Sequence, residues 1–293
     1  MAVPRIVVAL GGNAIAPRDT GGTADQQTAA MAAAVEPVAD LVASGLDVVL
    51  THGNGPQVGN LLLKNELAAD VVPAMPLDWC VAQTQATIGF TIVTKLGEAL
   101  ARRGIARPVV AIISRVLVDA DDPAFDNPTK PIGRWRPDGT RRLVPSPVPL
   151  ELLDGEVLAM VMGAGGLVVA AGGGGIPMVR RQGRLVGVEA VIDKDRAACL
   201  LATTVAADRL VILTDVRGVA VDMGTPRERW LTMVTPGELR RQKRAGQFPE
   251  GSMGPKVDAV VAFVEQSGGS AAIGSLEELG AVVAGDRGTQ VVP

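Results

Sequence analysis

Residues Val7-Val8-Ala9-Leu10-Gly11-Gly12-Asn13, VVALGGN, run from a continuous apolar stretch into two glycines and an amide. A strand buried on both faces reads this way, because a sheet covered by helices on either side has no polar face to show. The glycines then let the chain turn sharply and present backbone N–H groups to an anion at the carboxyl end of the strand. The same pattern recurs. Val- and Ile-rich runs lie at 5–10, 46–50, 108–113, 166–171, 209–213 and 271–273, mostly separated by Ala- and Leu-rich stretches of helical spacing. The clearest predicted helices are 24–44, where Pro37 would kink the rod, and 77–103; others fall near 55–69, 194–206, 236–246 and 255–267. Strands alternating with helices specify an α/β fold with a mainly parallel central sheet and helices on both faces.

A chain of 293 residues can bury a large core, as one α/β domain or as two lobes sharing an interface. Its 28 basic and 31 acidic residues give a formal charge of −3 without a basic stripe, and three Trp, four Phe and no Tyr leave few platforms for stacking bases. Both features argue against a nucleic-acid partner. Cys80 and Cys199 stand far apart with no His beside them, which supports neither a disulfide framework nor a zinc site and fits a reducing cytoplasm. No apolar run approaches the ~18 residues of a membrane span, and the N-terminal run lacks the basic start and cleavage pattern of an export signal. The expectation is a soluble, cytoplasmic protein with no membrane partner.

Four glycine-bearing turns follow predicted strands: Gly11-Gly12-Asn13, Gly53-Asn54-Gly55, Gly172 to Gly175, and Asp215 to Gly218. Open α/β sheets bind ligands beyond such strand ends. One glycine pair in a chain with 35 glycines is an ordinary turn, but four at one end of a sheet point to an anionic ligand. Neither G-x-x-x-x-G-K-[ST] nor a complete dinucleotide turn occurs, which counts against Walker-type ATPases and NAD enzymes.

No lysine stands in or beside GGN, so its counter-charge has to come from elsewhere in the chain. Three lysines sit in unusual company: Lys130 in NPTKPIG, Lys194 in EAVIDKD and Lys256 in GSMGPKVDA. Most lysines are solvated, yet Lys194 follows an apolar run at a predicted helix start, and Lys256 lies just inside a helix that follows Gly-Ser-Met-Gly-Pro. Three cations converging on a glycine cradle suit phosphoryl transfer, in which the moving group spreads charge over its oxygens and needs little covalent help. Asp195 would hold the lysines in register and keep them protonated; capping the helix that begins there is an equally simple role. His52, the only histidine, stands at a strand end, where a hydrogen-bonded structural role is commoner than general-base work. Transfer to an already anionic acceptor needs no base, so His52 is set aside.

The segment 119–149, DADDPAFDNPTKPIGRWRPDGTRRLVPSPVP, carries seven prolines, many charges and little apolar periodicity. It reads as an excursion from the sheet, a lid or small hairpin subdomain that carries Lys130, rather than a core element; the other reading is a solvated surface loop.

These residues resemble the carbamate kinases of the amino acid kinase superfamily. The likeness runs through nine ordered blocks: VVALGGNAI, THGNGPQVGNLLL, NPTKPIG, VPSP, GGGGIP, GVEAVIDKD, LVILTDV, GSMGPK and SLEELG. It implies a three-layer α/β/α sandwich with a mainly parallel central sheet plus a short protruding lid, in a single domain over 1–293. A carbamate-side lobe would span 1–160, including the lid at 119–149, and a nucleotide-side lobe 161–293. The implied reaction is reversible phosphoryl transfer between Mg-ATP and carbamate, giving carbamoyl phosphate and ADP, in a homodimer. By resemblance Lys130, Lys194 and Lys256 are catalytic and Asp195 organises them. Gly11, Gly12, Asn13, Gly53, Asn54 and Gly55 surround carbamate and the phosphoryl group, and Asp215, Met253 and Lys256 meet the nucleotide. No protein metal site is implied; Mg2+ comes with ATP or ADP.

Other members of the superfamily carry a lysine at the position of Ala9, so the resemblance makes Lys194 the substitute. The lid insert RWRPDGTRRL, 134–143, is shorter than the family's protruding subdomain, and Thr225 stands where the family has a lysine. Two alternatives therefore stay open: a kinase for another small carboxylate or phosphonate, clamped by Arg134, Arg136, Arg141 and Arg142, or a catalytically silent binding protein on the same fold.

Overall fold

The computed structural model describes residues 3–12, 22–133, 139–249 and 251–293. In chain order its strands are β1 (Arg5–Leu10), β2 (Asp47–His52), β3 (Val109–Ala111), β4 (Arg115–Val118), β5 (Lys130–Ile132), β6 (Arg142–Val144), β7 (Pro149–Leu152) and β8 (Leu167–Val169). They continue with β9 (Ile176–Arg181), β10 (Arg184–Gly187), β11 (Arg209–Thr214), β12 (Val219–Val221), β13 (Arg229–Leu231), β14 (Met233–Val234), β15 (Ser270–Ser275) and β16 (Thr289–Val291). The helices are α1 (Ala24–Ala43), α2 (Gly55–Ala68), α3 (Leu77–Arg102), α4 (Gly155–Gly163), α5 (Lys194–Thr204), α6 (Pro236–Arg244), α7 (Met253–Ser267) and α8 (Leu279–Ala284).

The central sheet runs β14-β16-β15-β11-β1-β2-β8-β3 and is parallel except where β16 lies antiparallel to β15. Strand β1 shows why VVALGG reads as a covered strand. Ile6, Val8 and Leu10 enter one core with Met31 and Val35 of α1, Ile88 and Ile92 of α3, and Leu279 of α8. Val7 and Ala9 enter the opposite core with Ala198 and Leu201 of α5 and Val260 and Phe263 of α7. Helices thus cover both faces, and each buried Val or Leu contributes about 1.5–3 kcal/mol relative to exposure. Helix α1 begins with a capping box between Thr23 and Gln26 and continues through Pro37.

The six predicted strands and six predicted helices all appear, displaced by a residue or two at their ends. The second sheet, β10-β9-β4-β7, is not expected from the sequence, because its strands are short, bury few residues and carry Arg and Glu. Strands β8 and β9, which follow residue 160, pair with β2, β3 and β4, so strand pairing runs across the division at 160 that the resemblance implies.

Segment 119–149 contains the hairpin β5–β6, whose root is a core element rather than a solvated loop. Ile132 and Val144 are buried with Val58, Leu77, Cys80, Val81 and Val191. The root is also tied down by its backbone: Gly133 N donates to Gly55 O at 3.0 Å, and Val191 N to Pro145 O at 3.0 Å. Prolines and charges dominate the segment's composition and hide these two apolar anchors.

Candidate active site

Strand β1 lies between β2 and β11, so the chain proceeds from it to either side of the sheet, and a crevice opens beyond the strand ends at such a switch. Gly11 follows β1, and a Cβ there would lie 3.0 Å from Leu213 O of β11, a close approach that glycine allows. The second turn closes onto the first. A Cβ at Gly53 would lie 3.4 Å from Gly12 N and 3.7 Å from Lys194 Cδ. Gly12 and Gly55 have open space where their Cβ atoms would be, so both turns keep a free concave side. Asn54 points inward, its Nδ2 donating to Thr84 Oγ1 at 2.9 Å. Asn13 lies outside the described residues.

Three helices begin at this crevice: α2 immediately after Gly53-Asn54, α5 at Lys194, and α7 three residues before Lys256. Their N-terminal dipoles favour an anion there. Asp193 is the N-cap of α5, with Oδ1 accepting from Asp195 N at 2.9 Å and Arg196 N at 3.3 Å. The capping role considered for Asp195 therefore belongs to Asp193. An Asp before a helical run is the standard cap signature, and it was legible in the sequence. Relieved of that duty, Asp195 is 3 % exposed and bridges two lysines. Its Oδ2 accepts from Lys256 Nζ at 2.9 Å, and its Oδ1 lies 2.8 Å from Lys194 Nζ. The Lys194 contact has ion-pair distance without hydrogen-bond direction, so Lys194 Nζ and Asp195 Oδ1 are buried with no hydrogen-bond partner. An ammonium carries three donors and one carboxylate oxygen does not use them all, so Lys194 keeps donor capacity for an incoming anion.

The electrostatics follow from burial and pairing. Burial pushes the Lys194 ammonium below its ordinary range, opposed by the Asp195 carboxylate. Burial acts most strongly against Lys256, but the carboxylates of Asp195, Asp193 and Asp215 together outweigh it and raise that lysine. Asp193 would be raised by burial, yet the Lys130 ammonium holds it well below the usual carboxylate range. Lys130, on β5, donates from Nζ to Asp193 Oδ2 at 2.8 Å. All three sequence-selected lysines thus lie in two adjoining ion-paired groups, Lys130–Asp193 and Lys194–Asp195–Lys256, at the start of α5.

Asp215 follows β11, is exposed, and adds to the field that keeps Lys256 charged. Beside it Arg217 stacks over Trp230, 4.3 Å from the ring centre. Met253 opens α7 and packs partly against the core. The Gly172–Gly175 turn is packed closely against the protein on the side its Cβ atoms would take. All four glycines are buried, and their Cβ atoms would strike His52 Nε2 (2.3 Å), Asn54 Nδ2 (2.2 Å), Ile192 O (2.4 Å) and Val116 Cγ2 (2.4 Å). This turn is a buttress beneath the Gly53-Asn54-Gly55 loop. His52 is 1 % exposed, its Nδ1 sits 3.0 Å from Gly53 O, and burial pulls its pKa down to about 4. A neutral, enclosed imidazole fits the structural role that the sequence suggested.

The arginine clamp finds no support. Arg142 Nη1 donates to Glu66 Oε1 at 2.5 Å and Arg141 Nε to Gly133 O at 3.1 Å, while Arg134 and Arg136 lie outside the described residues. Among the described residues no three His, Cys, Asp or Glu side chains gather into a metal-holding group, and no helix is long and apolar enough to cross a membrane.

Residues 4–275 match the amino acid kinase family. A carbamate kinase of Thermococcus kodakarensis is 43 % identical over 98 % of this chain and 99 % of its own length, and carbamate kinase 1 of Enterococcus faecium is 43 % identical over 95 % of each. The solved structure of the Giardia lamblia carbamate kinase bound to AMP-PNP superposes with a TM-score of 0.95, at 36 % identity and 99 % coverage of both chains. With a family match over most of its length and near-full-length likeness to these relatives in sequence and fold, the chain belongs to the amino acid kinase family, among its carbamate kinases.

Proposed function

We propose that this protein transfers a phosphoryl group reversibly between ATP and carbamate, giving carbamoyl phosphate and ADP. The observation that carries the reading is the buried Lys194–Asp195–Lys256 cluster beside the two glycine turns, in which one carboxylate meets two ammonium groups at 2.8 and 2.9 Å. In the forward direction a carbamate oxygen forms a bond to the γ-phosphorus as the bond to the β-phosphate oxygen of ADP breaks. Lys194 meets the oxygens of the transferring group from the side of Gly12 and Gly53, and Lys256 neutralises charge that moves onto the leaving ADP. Asp195 keeps both ammonium groups in register. No base is required, because the acceptor oxygen is already anionic.

Gly11, Gly12, Asn13, Gly53, Asn54 and Gly55 surround carbamate and the phosphoryl group, and Lys130 closes the carbamate side from the hairpin. Asp215, Met253 and Lys256 take the nucleotide, which places carbamate with the N-terminal half and ATP with the C-terminal half. The lysine-rich donor set is suited to phosphate and not to a resident cation; Mg2+ bound with the nucleotide would supply further charge neutralisation.

The protein acts as a homodimer. Leu67, Val71, Trp79 and Phe90 are exposed, and Trp79 and Phe90 lie about three turns apart on one face of α3, an apolar surface that a second copy would cover. With two buried thiols and no membrane-crossing helix among the described residues, we assign it to the cytoplasm.

The test is ATP formation from carbamoyl phosphate and Mg-ADP by purified protein. Rapid ATP formation that Lys194→Ala abolishes is the expected result. ADP binding without ATP formation would favour the silent binding protein, and turnover only with another acyl or phosphonyl phosphate would favour a different acceptor.

A further inference from the structure

The charges of the site fall into two groups, one on each side of the start of α5, and a single carboxylate belongs to both. Asp193 Oδ1 accepts from Asp195 N and Arg196 N, which fixes the first turn of α5 and with it Lys194 and Asp195. Its Oδ2 accepts from Lys130 Nζ at 2.8 Å across 63 residues of sequence, holding the lysine of hairpin β5–β6. The two oxygens lie in one rigid plane, so Lys130 cannot shift relative to Lys194 without breaking the cap or the ion pair. The pair is largely enclosed, with side-chain exposures of 21 % and 19 %, so water replaces neither contact cheaply.

From this geometry we propose that Asp193 is the positioning residue of the site: it holds Lys130 at a set distance from the Lys194–Asp195–Lys256 cluster, so that acceptor and transferring phosphoryl group are aligned for attack. The inference rests on the phosphoryl-transfer reading above. Lys130 carries three donors, of which Asp193 takes one and leaves two for the acceptor. The lysine is therefore oriented before substrate arrives, which reduces the ordering that binding requires.

A helix cap alone would not need the Oδ2 contact, and this distinguishes the proposal from a purely structural role. Asp193→Ser keeps a capping oxygen but cannot reach Lys130. Kinetics with carbamoyl phosphate and Mg-ADP would be measured for this variant, for Lys130→Ala and for the two combined, with ADP affinity by calorimetry. The expected result is a loss of about tenfold or more in kcat/KM for carbamoyl phosphate, with ADP affinity within about twofold of wild type. The combined variant should be no worse than Lys130→Ala alone, because both changes remove the same interaction. An Asp193→Ser enzyme with wild-type kcat/KM, or losses that multiply in the combined variant, would overturn the proposal. Should Asp193→Ser fail to fold, Asp193→Asn retains shape and cap while losing the charge, and the same comparison applies. A wild-type protein that forms no ATP refutes the kinase reading and this inference together; an active wild type whose Asp193→Ser variant keeps wild-type kcat/KM refutes only the inference.

Discussion

Replacing Lys194 by methionine removes its charge while keeping most of its apolar stem, and the structure sets the size of the effect. Lys130, Lys194 and Lys256 face Asp193 and Asp195, so three ammonium groups against two carboxylates leave the site one positive charge in surplus. Lys194→Met abolishes that surplus. An ammonium about 3 Å from a phosphoryl oxygen, at an effective dielectric near 20, interacts by about 5 kcal/mol. Part of this is already present with bound substrate, and the loss of one preorganised donor to a developing charge is about 2.7–4 kcal/mol, or roughly 10²–10³ in kcat. Stability should move the other way. Burial lowers the pKa of Lys194 in the folded state, so the fold bears a penalty for keeping this group charged at neutral pH, and the penalty disappears with the charge. Asp195 still has Lys256 at 2.9 Å. The assay is coupled ATP formation from carbamoyl phosphate and Mg-ADP, with Tm measured alongside; the expectation is a kcat reduced by roughly 10²–10³ and a Tm unchanged or raised. A variant that keeps more than about a tenth of wild-type kcat would refute the role of Lys194 at the transferring group. A Tm lower by more than about 5 °C, beyond 1 kcal/mol for a chain of this size, would instead make Lys194 a support of the fold.

Lys130→Ala should raise KM for carbamoyl phosphate and lower kcat while leaving ADP affinity unchanged; unaltered steady-state kinetics with carbamoyl phosphate would contradict its place on the acceptor side. His52, neutral in the fold with a pKa of about 4, binds a proton in the unfolded chain below about 6.5, so stability from this group is full above 6.5 and declines as pH falls towards 4. Thermal unfolding from pH 7 to 4 should therefore show a shallower acid decline in His52→Asn than in wild type, and identical slopes would mean that His52 is protonated in the fold. Two glycine substitutions separate support from binding. Gly173→Ala, at φ 65° with its Cβ directed into the Asn54 amide, should destabilise by about 1–3 kcal/mol in urea unfolding. Gly12→Ala meets no atom of the protein and should leave stability intact while weakening turnover; full activity in Gly12→Ala would show that no ligand approaches there.

Much of this protein was determined by its sequence alone. A strand buried on both faces is apolar along most of its length, so β1, β2, β11 and β15 announce themselves as runs, and the helices between them follow from their 3.6-residue period. The site lysines were legible because a charged residue beside an apolar strand end or a Gly-Pro turn is expensive unless something anionic meets it. Tertiary structure decided what local pattern does not encode. Gly172–Gly175 has the same composition as a ligand turn, yet it is filled by His52 and Asn54, side chains 120 residues away in sequence terms as measured by the Thr51–Ala171 contact beneath them. The 119–149 segment looks solvated because Ile132 and Val144 are two residues among prolines and charges, and only the pocket formed by Val58, Leu77 and Val191 makes them core. Asp193 and Asp195 are chemically identical and two positions apart. One caps α5 and holds Lys130, while the other bridges Lys194 and Lys256, because successive residues at a helix start point in different directions and meet different parts of the chain.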